Sequence, residues 1–282
     1  MFNFGKTYII FIFLSINLFA MNFKSICENE NLKNRFFCKK YLIEETQKSE
    51  EKIENKKIAY LTFDDGPLRV TTNILEIIDQ EDIFVTMFFI GHQMETFKTI
   101  YKSALNNKNI TIGNHTYSHA NNKYKKFYSK PLEVVEDIKR ANKLIENDRF
   151  SNTSSNFLPV RLAGRNVFRL PNIQRDDNMI PFPQRETEIL GYDEIYNEGY
   201  YIYGWDLDWS YEANGRPIQT PEEIFLKMEK IYKNKSSLKE NKVVLLMHDF
   251  MFLNKYDGKE NLSTLIKLLK DNGWSFDNIE NY

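Results

Sequence analysis

The stretch Ile58-Ala59-Tyr60-Leu61-Thr62-Phe63-Asp64-Asp65-Gly66-Pro67 opens the main body of the chain, and in it an apolar run ends on two adjacent carboxylates and a Gly-Pro turn. The run reads as a buried strand over 57–63. Two carboxylates side by side at its end repel one another and lose hydration, so a fold keeps them only where a cation or a proton reconciles them. The plainer alternative is a turn cap, with one Asp bonding the backbone ahead of Gly66-Pro67, and for DDGP in isolation it is the better one. The rest of the chain has to decide.

Working outward from that strand, apolar spacing predicts a helix over 70–81, in which Ile74, Ile77 and Ile78 share a face. A strand follows at 84–91, then a helix at 93–107 and a strand at 110–115 running into a polar loop. Ser129-Lys130-Pro131-Leu132-Glu133 offers a capping residue, an early Pro and an early acid for a helix fading near Asn147, with Leu132, Val135, Ile138 and Leu144 inward. After the polar loop 151–156 the pattern gives a strand at 157–164, an irregular stretch to about 185, a helix near 186–198 and a strand at 200–209. A Pro-initiated helix at 221–234, a strand at 242–249 and a helix at 261–272 complete it. Strands alternate with helices throughout, so the expected fold is α/β with a mostly parallel sheet. Functional residues of such folds collect at the C-terminal ends of strands.

Composition narrows the class. With 42% hydrophobic residues in 282 the chain can bury a large core, and 38 Lys+Arg against 39 Asp+Glu leave no electrostatic footprint for nucleic acid or an anionic membrane. No protein partner is indicated. The 22 Phe and 16 Tyr serve the core and, on loops, could offer flat faces to a sugar. Residues 1–20, with Lys6 ahead of an uncharged apolar stretch, have the form of a secretory signal peptide, so export is expected; a membrane role arises only if the segment stays uncleaved as an anchor. Residues 21–55 read as a charged lead-in carrying Cys27 and Cys38, expected as a disulfide in an oxidising compartment, the alternative being two free thiols. The globular body is then 56–282.

The residues at the predicted strand ends are ionisable: Asp64 and Asp65, His115 and His119, Arg161, Asp206 and Asp208, then His248. Three of the four histidines of the chain fall among them. His115 and His119, four apart, suit a borderline-soft divalent ion, zinc foremost and other first-row ions as alternatives, and one Asp makes a three-ligand site with open positions for water and substrate. The other Asp is then free to take a proton from metal-bound water. His248, where an apolar strand breaks abruptly, could protonate a leaving amine when oriented by Asp206 or Asp208; a structural histidine is the alternative.

Together these residues resemble the polysaccharide deacetylase family, the NodB-type domain of carbohydrate esterase family four. Thr62-Phe63-Asp64-Asp65-Gly66-Pro67 matches its first motif in full and His115-Thr116-Tyr117-Ser118-His119 its second. Leu245-Leu246-Met247-His248-Asp249 resembles the fifth, and Met87-Phe88-Phe89-Ile90-Gly91 its second strand. The resemblance implies a distorted (β/α) barrel and a metal-dependent hydrolase that removes acetyl from an N-acetylated sugar of a glycan. By motif match Asp64 would be the base, Asp65, His115 and His119 the metal ligands, His248 the acid and Leu246 part of the acetyl pocket. The oxyanion would be held by the metal and a backbone N–H.

Two motifs depart from the family pattern. The third has two candidates, Arg161-Leu162-Ala163-Gly164-Arg165 and Arg169-Leu170-Pro171-Asn172, and neither carries the usual Tyr. Arg161 is the reading adopted, orienting Asp64, with Gly164 allowing close backbone approach; Arg165 and Arg169 are the alternatives. The fourth is compressed to Asp206-Leu207-Asp208-Trp209, with Asp208 as the partner of His248 and Trp209 facing the glycan. The stretch 172–199 is expected to be an insertion beside the groove. An O-acetyl esterase on the same fold and a non-catalytic glycan-binding module are the rival functions.

Overall fold

The computed structural model describes residues 56–148 and 158–282. The expected signal peptide, the lead-in with its Cys27–Cys38 pair and the loop 151–156 lie outside the described residues. Lys57–Tyr282 forms one compact unit.

Strands β1 (Ile58–Gly66), β2 (Val85–Phe89), β3 (Ile110–Asn114), β4 (Pro159–Val160), β5 (Phe168–Leu170), β6 (Ile173–Arg175), β7 (Tyr201–Ile202), β8 (Leu207–Asp208), β9 (Lys242–His248) and β10 (Ser275–Phe276) make one sheet among the described residues. Its order is β6-β5-β7-β4-β3-β2-β1-β9-β8, with β10 beside the start of β1. The pairings are parallel except those of β5 with β6 and β7. The sheet curls into a distorted half-barrel, as the α/β alternation and the family resemblance implied.

Side-chain alternation divides β1 between two environments. Ala59, Leu61 and Phe63 pack outward under helices α1 (Thr71–Glu81), α7 (Pro221–Lys233) and α8 (Gly258–Asp271), with Ile74, Ile78, Ile224 and Leu265. Tyr60 points inward, into a cluster with Phe88, Phe168, Val244 and Tyr282. Both faces are dry, which is why the strand reads as an unbroken apolar run. Thr62 and Asp64 continue the inward face, so the barrel interior changes from aromatic to polar along one strand. Helix α7 starts where Thr220 and Glu223 form a capping box with Pro221 in the first turn.

Helix α5 (Pro131–Asp148) lies close to the expected span. Two details differ: the Ser129 hydroxyl donates to the Lys126 carbonyl rather than capping α5, and Leu132 is exposed. Val134 takes the inward place beside Val135 and Ile138, because the inward stripe is set by what α6 (Gln184–Asn197) and β4 press against it. The single strand expected at 200–209 is broken into β7 and β8. At Gly204, between them, a Cβ would collide with Asn166 and Phe168, so only glycine fits there. The stretch read as irregular contains the β5–β6 hairpin.

Candidate active site

The two aspartates separate because the β1–β2 register slips between them: Asp64 pairs with Phe88 but Gly66 with Phe89, leaving Asp65 as a bulge. Asp65 adopts φ +71°, a left-handed conformation on the order of 1–3 kcal/mol above the ordinary wells. The bulge turns two neighbours on the chain, which a regular strand would send to opposite faces, toward one cavity mouth.

Opposite them stands the loop after β3. Its backbone is also strained, with positive φ at Thr116 and at every residue from His119 to Asn122. Side chains hold it in place. Asn114 Oδ1 accepts from the Thr116 N–H (2.8 Å), and one Asp137 carboxylate oxygen accepts from Tyr117 N–H (2.8 Å) and Ser118 N–H (2.9 Å). Thr116 Oγ1 accepts from His119 N–H at 3.0 Å. Asp137 comes from α5, so a helix on the outer layer fixes the loop that carries both histidines.

The imidazoles meet Asp65. His119 Nε2 lies 3.0 Å and His115 Nε2 3.4 Å from Asp65 Oδ1, and His115 Nε2 is 3.7 Å from Asp64 Oδ2. His115 Nδ1 is 2.8 Å from the Arg161 carbonyl oxygen. A carbonyl only accepts, so Nδ1 carries the proton and Nε2 presents its lone pair to the site. Asp65, His115 and His119 each offer one ligand atom within 4.8 Å of the others, and Asp65 Oδ1 is buried without a hydrogen-bond partner. One carboxylate and two imidazoles converging on an orphaned oxygen fit a divalent ion of the zinc type. Burial pushes the Asp65 carboxyl up, but His115 and His119 outweigh it and hold it well below the usual carboxylate range. Burial likewise pulls His115 down, and Asp64 and Asp65 outweigh that and raise it.

Of the three candidate arginines the structure brings Arg161 to the site. Wholly buried, it donates through Nη1 to Asp64 Oδ1 (3.0 Å) and Thr62 Oγ1 (2.6 Å), through Nε to the Tyr203 carbonyl (3.1 Å) and through Nη2 to the Gly204 carbonyl (2.8 Å). Its guanidinium sits over the Phe88 ring at 4.3 Å. Arg165 instead clasps Glu188 with two hydrogen bonds, and Arg169 binds Asp176 and Asp193. Gly164 takes φ +64° with the Tyr124 ring 3.3 Å from where its Cβ would stand, so the close approach expected there is made by an aromatic ring. The same ring meets His119 edge-on at 5.9 Å, tying the Arg161 loop to the loop that carries both histidines.

His248 is level with Asp64 across the β1–β9 ladder, and Leu246 lies one pleat below, level with Thr62. Burial lowers the His248 pKa, more than Asp64, Asp65 and Asp208 raise it. Two expectations need correction here. Asp208 pairs in register with Leu246 rather than with His248, and Asp208 Oδ1 and His248 Nδ1 are both buried without hydrogen-bond partners, so the predicted Asp–His bond is not formed. Asp206 is engaged elsewhere, accepting from Leu238 N–H and Val244 N–H. Trp209 is fully buried in the outer core, its indole N–H donating to the Gln219 carbonyl, and it offers no face to a glycan. Alternation explains it, since Asp208 and its neighbour Trp209 leave β8 on opposite sides. The aromatic faces beside His248 are Tyr211, edge-on at 4.9 Å, and Phe250, stacked at 5.3 Å. Neither had a sequence signal apart from following a strand end, and Asp137 had none.

The family profile for polysaccharide deacetylases matches residues 51–158, which include Asp64, Asp65, His115 and His119; Arg161 and His248 lie beyond it and are joined to them by the geometry above. A putative polysaccharide deacetylase of Bacillus subtilis is 26% identical over 230 residues, 79% of this chain and 67% of that protein. A peptidoglycan N-acetylglucosamine deacetylase of Bacillus cereus is 35% identical over 106 residues, 37% of this chain and 34% of that protein. Among solved structures, a polysaccharide deacetylase from Bacillus cereus matches 80% of this chain and 95% of its own, with a TM-score of 0.54 at 24% identity. The resemblance to the NodB-type deacetylases of carbohydrate esterase family four, first read from the motifs, is shown in sequence and in fold.

Proposed function

We propose that the chain is an exported, metal-dependent N-deacetylase that hydrolyses the acetamido group of an N-acetylated sugar in a glycan and releases acetate. The observation that carries the reading is the convergence of Asp65, His115 and His119 beside an Asp64 that has one oxygen bound by Arg161 and the other turned to the site. Asp65 Oδ1 and the two Nε2 atoms would hold the metal, which when bound supplies Lewis-acid polarisation of the acetyl carbonyl and a more acidic water. Asp64 accepts the proton of the attacking water, with Arg161 fixing its orientation and balancing its charge. His248, on the neighbouring strand end, delivers a proton to the amine as the C–N bond breaks. Leu246 and the Tyr211 and Phe250 rings form the apolar side against which the acetyl methyl packs. The likeness to the peptidoglycan N-acetylglucosamine deacetylase of Bacillus cereus supports a cell-wall type of sugar, and the apolar N-terminal segment supports export.

The test is acetate release from chitin oligomers and peptidoglycan by metal-loaded protein, before and after chelation, alongside metal analysis. Chelator-sensitive release from N-acetyl sugars is the expected result. Release from O-acetylated but not N-acetylated glycans moves the reading to an esterase, and neither bound metal nor release leaves a binding module. His248→Ala should cost far more on the amide than on an activated acetyl ester, whose leaving group needs no proton.

A further inference from the structure

Asp249 directly follows His248, and nothing in the reaction described above uses it. Its side chain is wholly buried. Oδ2 accepts from the Thr71 hydroxyl at the start of α1, the carboxyl's one hydrogen-bond partner among the described residues, and Oδ1 has none. Burying a carboxyl that is met by a single hydroxyl costs stability, so core packing alone does not account for it. We propose that Asp249 is a positioning residue for His248: it ties the end of β9 to the turn behind the paired aspartates and so sets where the acid stands against Asp64. The proposal rests on the deacetylase reading.

The β1–β9 ladder ends on the rung that pairs Asp64 with His248. Past it the two segments diverge, β1 through Asp65-Gly66-Pro67-Leu68 into α1 and β9 into the 3₁₀ turn Asp249–Phe252. Backbone pairing thus stops at the two residues whose separation matters, and the Asp249–Thr71 bond lies just beyond. Thr71 Oγ1 also accepts from Leu68 N–H (2.7 Å), which carries the link into the turn itself. At Gly66 a Cβ would collide with Asp249 Oδ2, so the turn closes directly over the carboxyl. The turn is a firm support, because the Gly66 carbonyl accepts from Ile90 N–H (2.8 Å) just after β2. The His248 ring has less to hold it, since Nδ1 has no hydrogen-bond partner, and its place depends on the backbone that Asp249 anchors one peptide bond away. A second tie between the same segments, from Asn73 Nδ2 to the Phe252 carbonyl (2.9 Å), meets the 3₁₀ turn at its far end and provides a control.

The experiment compares metal-loaded wild type with Asp249→Asn, which keeps an acceptor for Thr71, with the double variant Asp249→Leu/Thr71→Val, which removes both partners, and with Asn73→Ala. Exchanging both partners of a buried hydrogen bond for apolar groups of similar shape is close to neutral, so the double variant should keep or raise the urea midpoint. Its kcat on an N-acetyl sugar should nonetheless fall about 10–10²-fold, the scale of an ångström of misplacement. KM, metal content and turnover of an activated acetyl ester, which needs no acid, should stay within about threefold. Asp249→Asn should keep amide turnover within about threefold, and Asn73→Ala should lower the urea midpoint without splitting amide from ester. In carbon-13 histidine spectra of the metal-free protein, the His248 signal should move in the double variant and hold its place in Asp249→Asn. If the double variant does not fold, Thr71→Val alone is read by the same amide-to-ester ratio. Wild-type amide turnover in the double variant overturns the proposal, as does an equal loss on amide and ester, or an Asp249→Asn loss as large as the double variant's. A His248 signal that moves as expected in a protein that releases no acetate upholds the tether and removes the deacetylase reading.

Discussion

Arg161 and Arg165 stand four residues apart in one loop, each is buried, and each meets a buried carboxylate, yet the two pairs have different fates. Arg165 holds Glu188 with both oxygens, at 2.6 and 2.9 Å, and the Gln184 amide and Tyr192 hydroxyl donate to the same carboxylate. No lone pair of consequence is left over, and the pair ties α6 to the loop. Arg161 spends N–H donors on one oxygen of Asp64, on Thr62 and on two carbonyls, so the second Asp64 oxygen stays turned to His115. A saturated ion pair is structure; one left open on the side of a cavity is available for proton transfer.

The largest effect should separate the two carboxylates by chemistry. Asp64→Asn is expected to lower acetate release about 10²–10⁴-fold with metal content unchanged, the usual worth of a general base. Glu188→Gln should leave kcat within about twofold. If Glu188→Gln lost as much turnover, the distinction would collapse. Next, Arg161→Ala and Arg165→Ala each strand a buried carboxylate, and each should cost about 3–5 kcal/mol in urea unfolding. At a temperature where both variants are folded, only Arg161→Ala should also lose turnover, because its side chain holds Asp64, whereas the carbonyl that receives His115 Nδ1–H belongs to the backbone and survives the substitution.

A smaller effect sharpens the comparison further. Arg165→Met with Glu188→Leu replaces a saturated pair by apolar groups and should be neutral or up to about 4 kcal/mol stabilising near neutral pH, with activity retained; no apolar replacement of Arg161 and Asp64 can keep turnover. The smallest effect lies in pH. Burial pushes the Glu188 carboxyl up, but Arg165, Gln184 and Tyr192 outweigh it and leave it below its ordinary value. A depressed carboxylate contributes stability above the unfolded value, about 4.3, and loses it as pH falls through the lowered folded value. Wild-type stability relative to the double variant should therefore decline between pH 6 and 3 in urea titrations, and a rising difference would contradict the assignment.

Much of the site was legible because its parts are local. DDGP and HTYSH each place two chemical groups within a few residues, and the strand that precedes each one positions it. The helix at 70–81 and the strand at 242–249 were legible for the same reason, their periodicity being an internal property of one segment. Errors arose where a neighbour decides. Leu132 has the spacing of a core residue but is left exposed, and Trp209 has the motif position of a glycan-facing residue although alternation with Asp208 turns it into the core. The Asp208–His248 bond failed because the β8–β9 register sets Asp208 level with Leu246.

The sequence by itself supplied the paired aspartates, the two histidines four apart, the histidine that ends an apolar strand and the alternating α/β order, since each is written in a residue and its immediate neighbours. Only the tertiary structure chose among three arginines and set Tyr211 and Phe250, rather than Trp209, beside His248. Those choices depend on how segments far apart along the chain come into register, 97 residues apart for Arg161 and Asp64. Such register is fixed by the packing of the whole sheet, which no single stretch of sequence specifies.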